Sequence, residues 1–241
     1  MVIQTTFSAD LTLSETLRRL PAAIDVFEAA EIDYSCQGAR SLADAAQESG
    51  YEVEEILARL EAARRNGGGR NWFDEPILEL LESLVNDHRA TIADRIPEIQ
   101  KDIEHAVTAI GPIEEIQRIR ILFSYLASTL STHVLNEERD LFPFITELEA
   151  AISESMGPPR MRISQRVLRE LVEHETFHER FRTLRELLDR LPANDTVDTL
   201  RRNLIQFSNE VHRHMHLENN VLYPRVIEIE NGLRRSTMAS A

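Results

Sequence analysis

Cysteine is nearly absent: Cys36 is the only one among 241 residues. No intramolecular disulfide and no CxxC metal or redox pair can form, so a reducing, cytoplasmic setting is expected. Glycine and proline are few, at 8 and 9, and aromatics make up 6%. Runs of β-branched residues are scarce beside Leu, Glu, Arg and Ala, a balance that favours helix. No stretch approaches the roughly 18 apolar residues of a membrane span. The first thirty residues contain Asp10 and Glu15 and no basic segment leading into an apolar one, so no secretory signal is expected. Positive charge is also short: 27 Lys and Arg stand against 41 Asp and Glu, a net charge of -14. Such a field repels nucleic acid and anionic membrane surfaces. With 42% hydrophobic and 28% charged residues, the chain has the composition of a folded, soluble protein. An all-α fold is expected.

The clearest break is Asn66-Gly67-Gly68-Gly69, since each glycine inside a helix costs about 1 kcal/mol relative to Ala. We expect a small helical domain over 1–65, a Gly-rich linker over 66–75, a helical bundle over 76–232 and a flexible tail over 233–241. Three helical patterns precede the linker: one opened by the capping-box spacing Thr12-Leu13-Ser14-Glu15, one from Ser41 to Ser49, and one from Tyr51 to Arg65. Between the first two lies the turn-like segment Ile32-Asp33-Tyr34-Ser35-Cys36-Gln37-Gly38. Beyond the linker, apolar residues recur at helical spacing over 76–108, 113–148, 162–191 and 196–229. The separators are Gly111-Pro112, Met156-Gly157-Pro158-Pro159 and Pro192-Ala193-Asn194-Asp195. Short connections make successive helices antiparallel neighbours, which predicts an up-down four-helix bundle.

The bundle contains an internal echo. His133-x3-Glu137 followed by Leu141-Phe142-Pro143 recurs 81 residues later as His214-x3-Glu218 followed by Leu222-Tyr223-Pro224. Residues four apart share a helix face, so each His and Glu can address one inward point. A single such pair is equally well an ion pair in solvent; its repetition favours a metal. The other two helices carry His88 and the pair His174 and His178. His88 precedes His133 by 45 residues and His174 precedes His214 by 40, so each helical hairpin repeats one scheme. Folded antiparallel, the bundle gathers five histidines and two glutamates at one level. A set rich in imidazole and free of thiolate suits Fe, Mn, Zn or Cu. Seven ligands exceed one ion's capacity, whereas two ions bridged by Glu137 and Glu218 leave a position open to a small molecule. We therefore favour two non-haem iron ions, with an oxo or hydroxo bridge. Ferritin-like di-iron proteins use more carboxylates and a Glu-x-x-His spacing, which the two required helices do not show.

With these motifs the chain resembles the hemerythrin-like di-iron proteins. More closely, it resembles the iron-sulfur cluster repair family of the YtfE, ScdA and DnrN type. Asp33-Tyr34-Ser35-Cys36-Gln37-Gly38 is similar to that family's D-Y-C-C-x-G motif. His133-x3-Glu137-Glu138, Glu173-His174 and His214-x3-Glu218-Asn219-Asn220 with Pro224-Arg225 follow its bundle pattern. The resemblance implies an ScdA-like N-terminal domain before a hemerythrin-like (HHE) bundle. It also implies a stress-response role on clusters damaged by nitric oxide or oxidants, through iron supply or nitric oxide handling. Two positions depart from the pattern. Ser35 stands where the family usually has a second cysteine. The family's fifth histidine falls on Ala109, one helical turn beyond His105. Hemerythrins proper take two ligands four apart on the third helix, and His174 with His178 provides that pair. The expected metal set is thus His88, His133, Glu137, His174, His178, His214 and Glu218, with His105 as the alternative to His178.

Other residues have plainer readings. His212 and His216 turn about 200° away from His214 and are expected at the surface. Glu170 and Glu210, four residues before His174 and His214, could accept those imidazoles' other N–H or carry solvated charge. By resemblance Glu173 is a proton relay or lines an access path. The aromatic-proline pairs read as helix kinks or ends packed in the core. Trp72 is expected to pack the linker on the bundle. Cys36 is either an inert side chain or a functional thiol that caps an iron channel, ligates iron in transfer or pairs with a client. The expected partners are O2, NO or peroxide at the irons and damaged iron-sulfur proteins as clients, with no nucleic acid or membrane. The alternative function is a hemerythrin-like O2 or NO sensor or carrier.

Overall fold

The computed structural model describes residues 6–66, 69–153 and 162–239. Among them every extended regular element is a helix, and none is long and apolar enough to cross a membrane. The Gly67-Gly68 break and the Met156-Gly157-Pro158-Pro159 separator lie outside the described residues. Two compact units are present: Met1–Pro76 with Met215–Leu222, and Ile77–His214 with Tyr223–Ala241.

The first unit contains α1 (Leu13–Arg19), α2 (Ala23–Ala29), α3 (Leu42–Glu48) and α4 (Val53–Asn66). Thr12 caps α1 in a full capping box with Glu15, and Ser41 caps α3 by accepting from the Asp44 N–H. The two caps pair with each other as an isolated antiparallel bridge. Helix α2 was not among the expected patterns. It is seven residues long and opens without a side-chain cap, so only the burial of Ala23, Val26 and Phe27 marks it. These side chains join Leu13, Leu17, Leu42, Ile56 and Leu60 in the unit's core. The linker's described part is pinned to α1, where the Asn71 side chain donates to the Arg18 carbonyl at 3.3 Å. Trp72 is stacked under the Arg70 guanidinium at 4.0 Å.

The loop between α2 and α3 is organised by Asp33, whose Oδ1 accepts from the Ser35 N–H, the Ser35 hydroxyl and the Cys36 N–H at 2.9–3.1 Å. Asn219 and Asn220 hold this loop: Asn219 donates to the Ser35 carbonyl and Asn220 to those of Tyr34 and Ser35. Gly38 is required here, because a Cβ at that position would lie 1.8 Å from Asn220 Oδ1. His216, expected at the surface, is instead buried. Its ring meets Tyr34 edge-on at 5.6 Å, and its Nδ1 accepts from Asn220 at 3.0 Å.

The second unit is the expected up-down four-helix bundle. Its helices are α5 (Ile77–Ala90), α6 (Ile96–Ile110), α7 (Glu114–Asn136), α8 (Phe142–Ser153), α9 (Ile163–Asp189), α10 (Asp195–His216) and α11 (Tyr223–Ala239). Cross-links give the directions. Glu104 meets Arg120, Thr129 meets Arg180, Leu188 meets Arg201, and Asp102 meets Asn203. Phe123, Phe207 and Phe181 form an edge-to-face stack in its centre. The tail expected after Gly232 is helical through Ala239.

Three of the four long helical stretches are interrupted by π-helical turns, Thr91–Arg95, Glu137–Leu141 and Leu217–Leu222. The Ile96 N–H donates to the Thr91 carbonyl and that of Phe142 to the Glu137 carbonyl, each five residues back. All three turns resume as X-Pro: Ile96-Pro97, Phe142-Pro143 and Tyr223-Pro224. A proline inside a helix removes one i→i−4 bond and clashes with that carbonyl, and a wider turn absorbs both defects. The expected kink is thus a π turn.

Gly38→Ala should destabilise the protein by about 1–3 kcal/mol. Asn220→Ala in the same chain should recover part of that loss in a double-mutant cycle of denaturant midpoints. Burial pushes His216 down to about 4 from 6.5. The unfolded chain therefore takes up its proton first: His216's contribution is full above pH 6.5 and is lost as pH falls towards 4. The loss amounts to roughly 3 kcal/mol. Stability of wild type and His216→Gln across this window, measured with chelator present, should differ by that slope.

Candidate metal centre

Each of four helices in the bundle contributes one buried or nearly buried imidazole: His88 from α5, His133 from α7, His174 from α9 and His214 from α10. They stand in two pairs. His88 Nε2 is 2.9 Å from His214 Nε2, and His133 Nε2 is 3.0 Å from His174 Nε2. Glu137, first residue of the second π turn and fully buried, lies between the pairs. Its Oε2 is 3.4 Å from His88 Nε2 and 3.5 Å from His133 Nε2, and it receives no hydrogen bond. Donor atoms of His88, Glu137 and His214, and those of His133, Glu137 and His174, fall within 4.8 Å of one another.

These residues fit cations. Two imidazole nitrogens bound to one ion at about 2.1 Å and at right angles are about 3.0 Å apart, the spacing of both pairs. A buried carboxylate oxygen without a donor is expensive unless positive charge meets it.

For two of the rings, His88 and His133, a carboxylate on the far side sets the tautomer. His88 Nδ1–H donates to Glu138 at 3.1 Å. His133 Nδ1 lies 2.9 Å from Glu173 and 3.1 Å from Glu170. Because a carboxylate only accepts, both Nδ1 atoms carry the proton and both Nε2 lone pairs face inward. The hydrogen bond from His133 holds Glu173's carboxyl below its ordinary range, while burial pushes Glu170 up. Tyr223 donates its hydroxyl to Glu137 Oε1 at 3.0 Å, fixing the carboxylate that separates the pairs. Phe142 stacks on His88 at 5.6 Å and Tyr223 on His174 at 6.2 Å. The repeated aromatics therefore line the donors as well as the core.

Among the seven expected ligands, His88, His133, Glu137, His174 and His214 are brought together. Glu218 is fully buried in the third π turn, four residues after His214. His178 is not brought in. Its Nδ1 lies 3.0 Å from His212 Nε2, one turn along α9 from His174, and His212 is anchored on the Ser208 carbonyl at 2.6 Å. The alternative, His105, is exposed on α6. Glu170 serves His133 rather than His174, and Glu210 binds Arg95 at 2.7 Å rather than His214. Spacing alone does not reveal the roles of Glu138 and Tyr223. The signal for Tyr223 is the echo, which puts a hydroxyl on the second aromatic and none on the first, and that for Glu138 is its place in His133-x3-Glu137-Glu138.

Comparison with known proteins agrees with this architecture. A family model, ScdA_N (Domain of Unknown function, DUF542), matches residues 9–64, and the Hemerythrin HHE cation binding domain matches residues 169–238. The chain is 27% identical to "Iron-sulfur cluster repair protein YtfE" of Escherichia coli O157:H7 over 224 residues, covering 90% of this chain and 97% of that protein. It is 25% identical to a "Probable iron-sulfur cluster repair protein" of Haemophilus influenzae over 236 residues, covering 91% and 97%. A YtfE protein of Citrobacter koseri is 26% identical, covering 90% and 97%.

Tyr223→Phe removes the one hydroxyl bonded to Glu137 without changing the stack on His174. Metal affinity, measured by competition with a chromophoric chelator, should fall about 10- to 100-fold. An unchanged affinity would show that Glu137 is positioned without it.

Proposed function

From a chain that joins a ScdA_N domain to a hemerythrin HHE cation-binding domain, and resembles iron-sulfur cluster repair proteins over nine-tenths of its length, we propose a di-iron protein of cluster repair. It acts on clusters damaged by nitrosative or oxidative stress, by supplying iron or by handling nitric oxide at the same ions. The observation that carries this reading is the Glu137 oxygen standing 3.4 and 3.5 Å from two separate histidine pairs. One carboxylate between two nitrogen pairs is the arrangement of a bridged dinuclear site.

In this reading His88 and His214 hold one iron and His133 and His174 the other. Glu137 would serve both, and Glu218, which stands from His214 as Glu137 stands from His133, would be the second carboxylate of the set. Such a centre would bind O2, NO or peroxide. When bound, the irons supply redox exchange and ligand binding that no side chain here provides. The protein's part is to keep the Nε2 lone pairs inward through Glu138, Glu170 and Glu173, to orient Glu137 through Tyr223, and to exclude water with Phe142 on His88 and Phe177, whose ring meets His133 edge-on at 5.2 Å.

Metal content and the visible spectrum of aerobically purified protein test this reading. Two irons per chain with ferric absorption are expected in the wild type and in His178→Ala, and loss of iron in Glu137→Ala. One zinc per chain, or no metal, would sink it. With iron established, the wild type should speed recovery of a nitric-oxide-damaged [4Fe–4S] enzyme and Glu137→Ala should not. Recovery with chelator in the medium separates iron supply from nitric oxide removal.

A further inference from the structure

A third pair of imidazoles lies in the bundle beside the two already described. His178 Nδ1 on α9 is 3.0 Å from His212 Nε2 on α10, and the rings meet edge-on at 86° with centroids 5.2 Å apart. The nitrogens are spaced as those of His133 with His174 and of His88 with His214. One ion holding two imidazole nitrogens at about 2.1 Å and at right angles requires the same spacing.

The far side of His212 is fixed as well. Its Nδ1 lies 2.6 Å from the Ser208 carbonyl, one turn back on α10. A carbonyl only accepts, so Nδ1 carries the proton and the Nε2 lone pair faces His178. That carbonyl does for His212 what the carboxylates do for His88 and His133. The buried Phe181 packs on the same ring at 5.6 Å and limits its swing. Without a cation, His178 Nδ1–H donates to the lone pair. With one, both nitrogens turn their lone pairs to the ion and the proton passes to His178 Nε2, so none is released.

The position of the pair gives it a use. His178 stands four residues after His174 on α9, about 6 Å along the axis, and His212 stands two before His214 on α10. The two helices are antiparallel, so both offsets run the same way along the bundle. His174 is fully buried, whereas His178 and His212 are half-buried. An ion leaving His174 thus meets a second nitrogen pair one turn on and nearer to water. Among the described residues no third His, Cys, Asp or Glu joins this pair as a donor, so it holds an ion less firmly than the centre does. We propose that His178 and His212 form a third metal site, which takes one divalent cation of the Fe, Cu or Zn kind and passes iron into or out of the centre. The passage rests on the dinuclear reading above; the site does not.

Copper(II) titrated into the iron-loaded chain, in a Cys36→Ser background, tests the site. Electron paramagnetic resonance should show one equivalent of copper split by two nitrogens. That signal should be lost in His178→Gln and in His212→Gln and kept in His105→Gln, with iron content and helical circular dichroism unchanged. Iron is counted in the same samples, so a chain without two irons overturns the dinuclear reading while the copper result stands or falls by itself. For the passage, the dithionite-reduced, iron-loaded chain should give up iron to a chromophoric chelator several-fold more slowly in either variant. No two-nitrogen copper signal in the wild type, a signal that survives both variants, or iron release at the wild-type rate would each overturn the proposal.

Discussion

A carboxylate oxygen kept from water and given no hydrogen-bond donor is a debt that only nearby positive charge can settle. Glu137 Oε2 is that atom, and much of the bundle's design follows from it. Four helices each aim one imidazole at its surroundings, and carboxylates behind two of the rings keep the lone pairs inward. A phenol holds the other oxygen. Taken without a cation, the arrangement stacks unfavourable items: nitrogen against nitrogen twice, and an unserved oxygen between them. Taken with cations, each of these becomes a bond.

The helical hairpins behave as two versions of one unit. Phe142 follows the first His-x3-Glu and stacks on His88 at 10°; Tyr223 follows the second and stacks on His174 at 11°. The prolines next to these rings start the helices anew after π turns, which begin at Glu137 and one residue before Glu218. Ring, turn and carboxylate thus form one local device used twice. Only the second copy carries a hydroxyl, so the halves differ where Glu137 is held.

Much of this was readable from residue order. The helices, the antiparallel bundle and the five assembled donors lie in periodicity and in the His-x3-Glu echo, because four-residue spacing on a helix is a geometric statement. The failures share a cause, which is dependence on contacts that spacing does not encode. His178 has sound spacing from His174, and spacing does not encode that His212 lies within hydrogen-bond reach of it. His216 turns away from the ligand face as expected, but what it turns toward is Tyr34, far back in the sequence and held beside it by Asn220. Glu170 was matched to the histidine on its own helix and serves one on another. Helix α2, short and uncapped, rests on burial alone.

The clamp of Asn219 and Asn220 on Tyr34 and Ser35 also bears on how the chain can be divided. By residue order the N-terminal unit ends near the glycines, and a cut there looks clean. Yet Met215–Leu222, inside the last long helical run, belongs to that unit's fold. A fragment beginning at the bundle would strip His216 of Tyr34 and leave both asparagines without the carbonyls of Tyr34 and Ser35. The two units are therefore interleaved in the chain. A piece that keeps Glu218's turn in its native packing must reach back across the glycines to Tyr34 and Ser35.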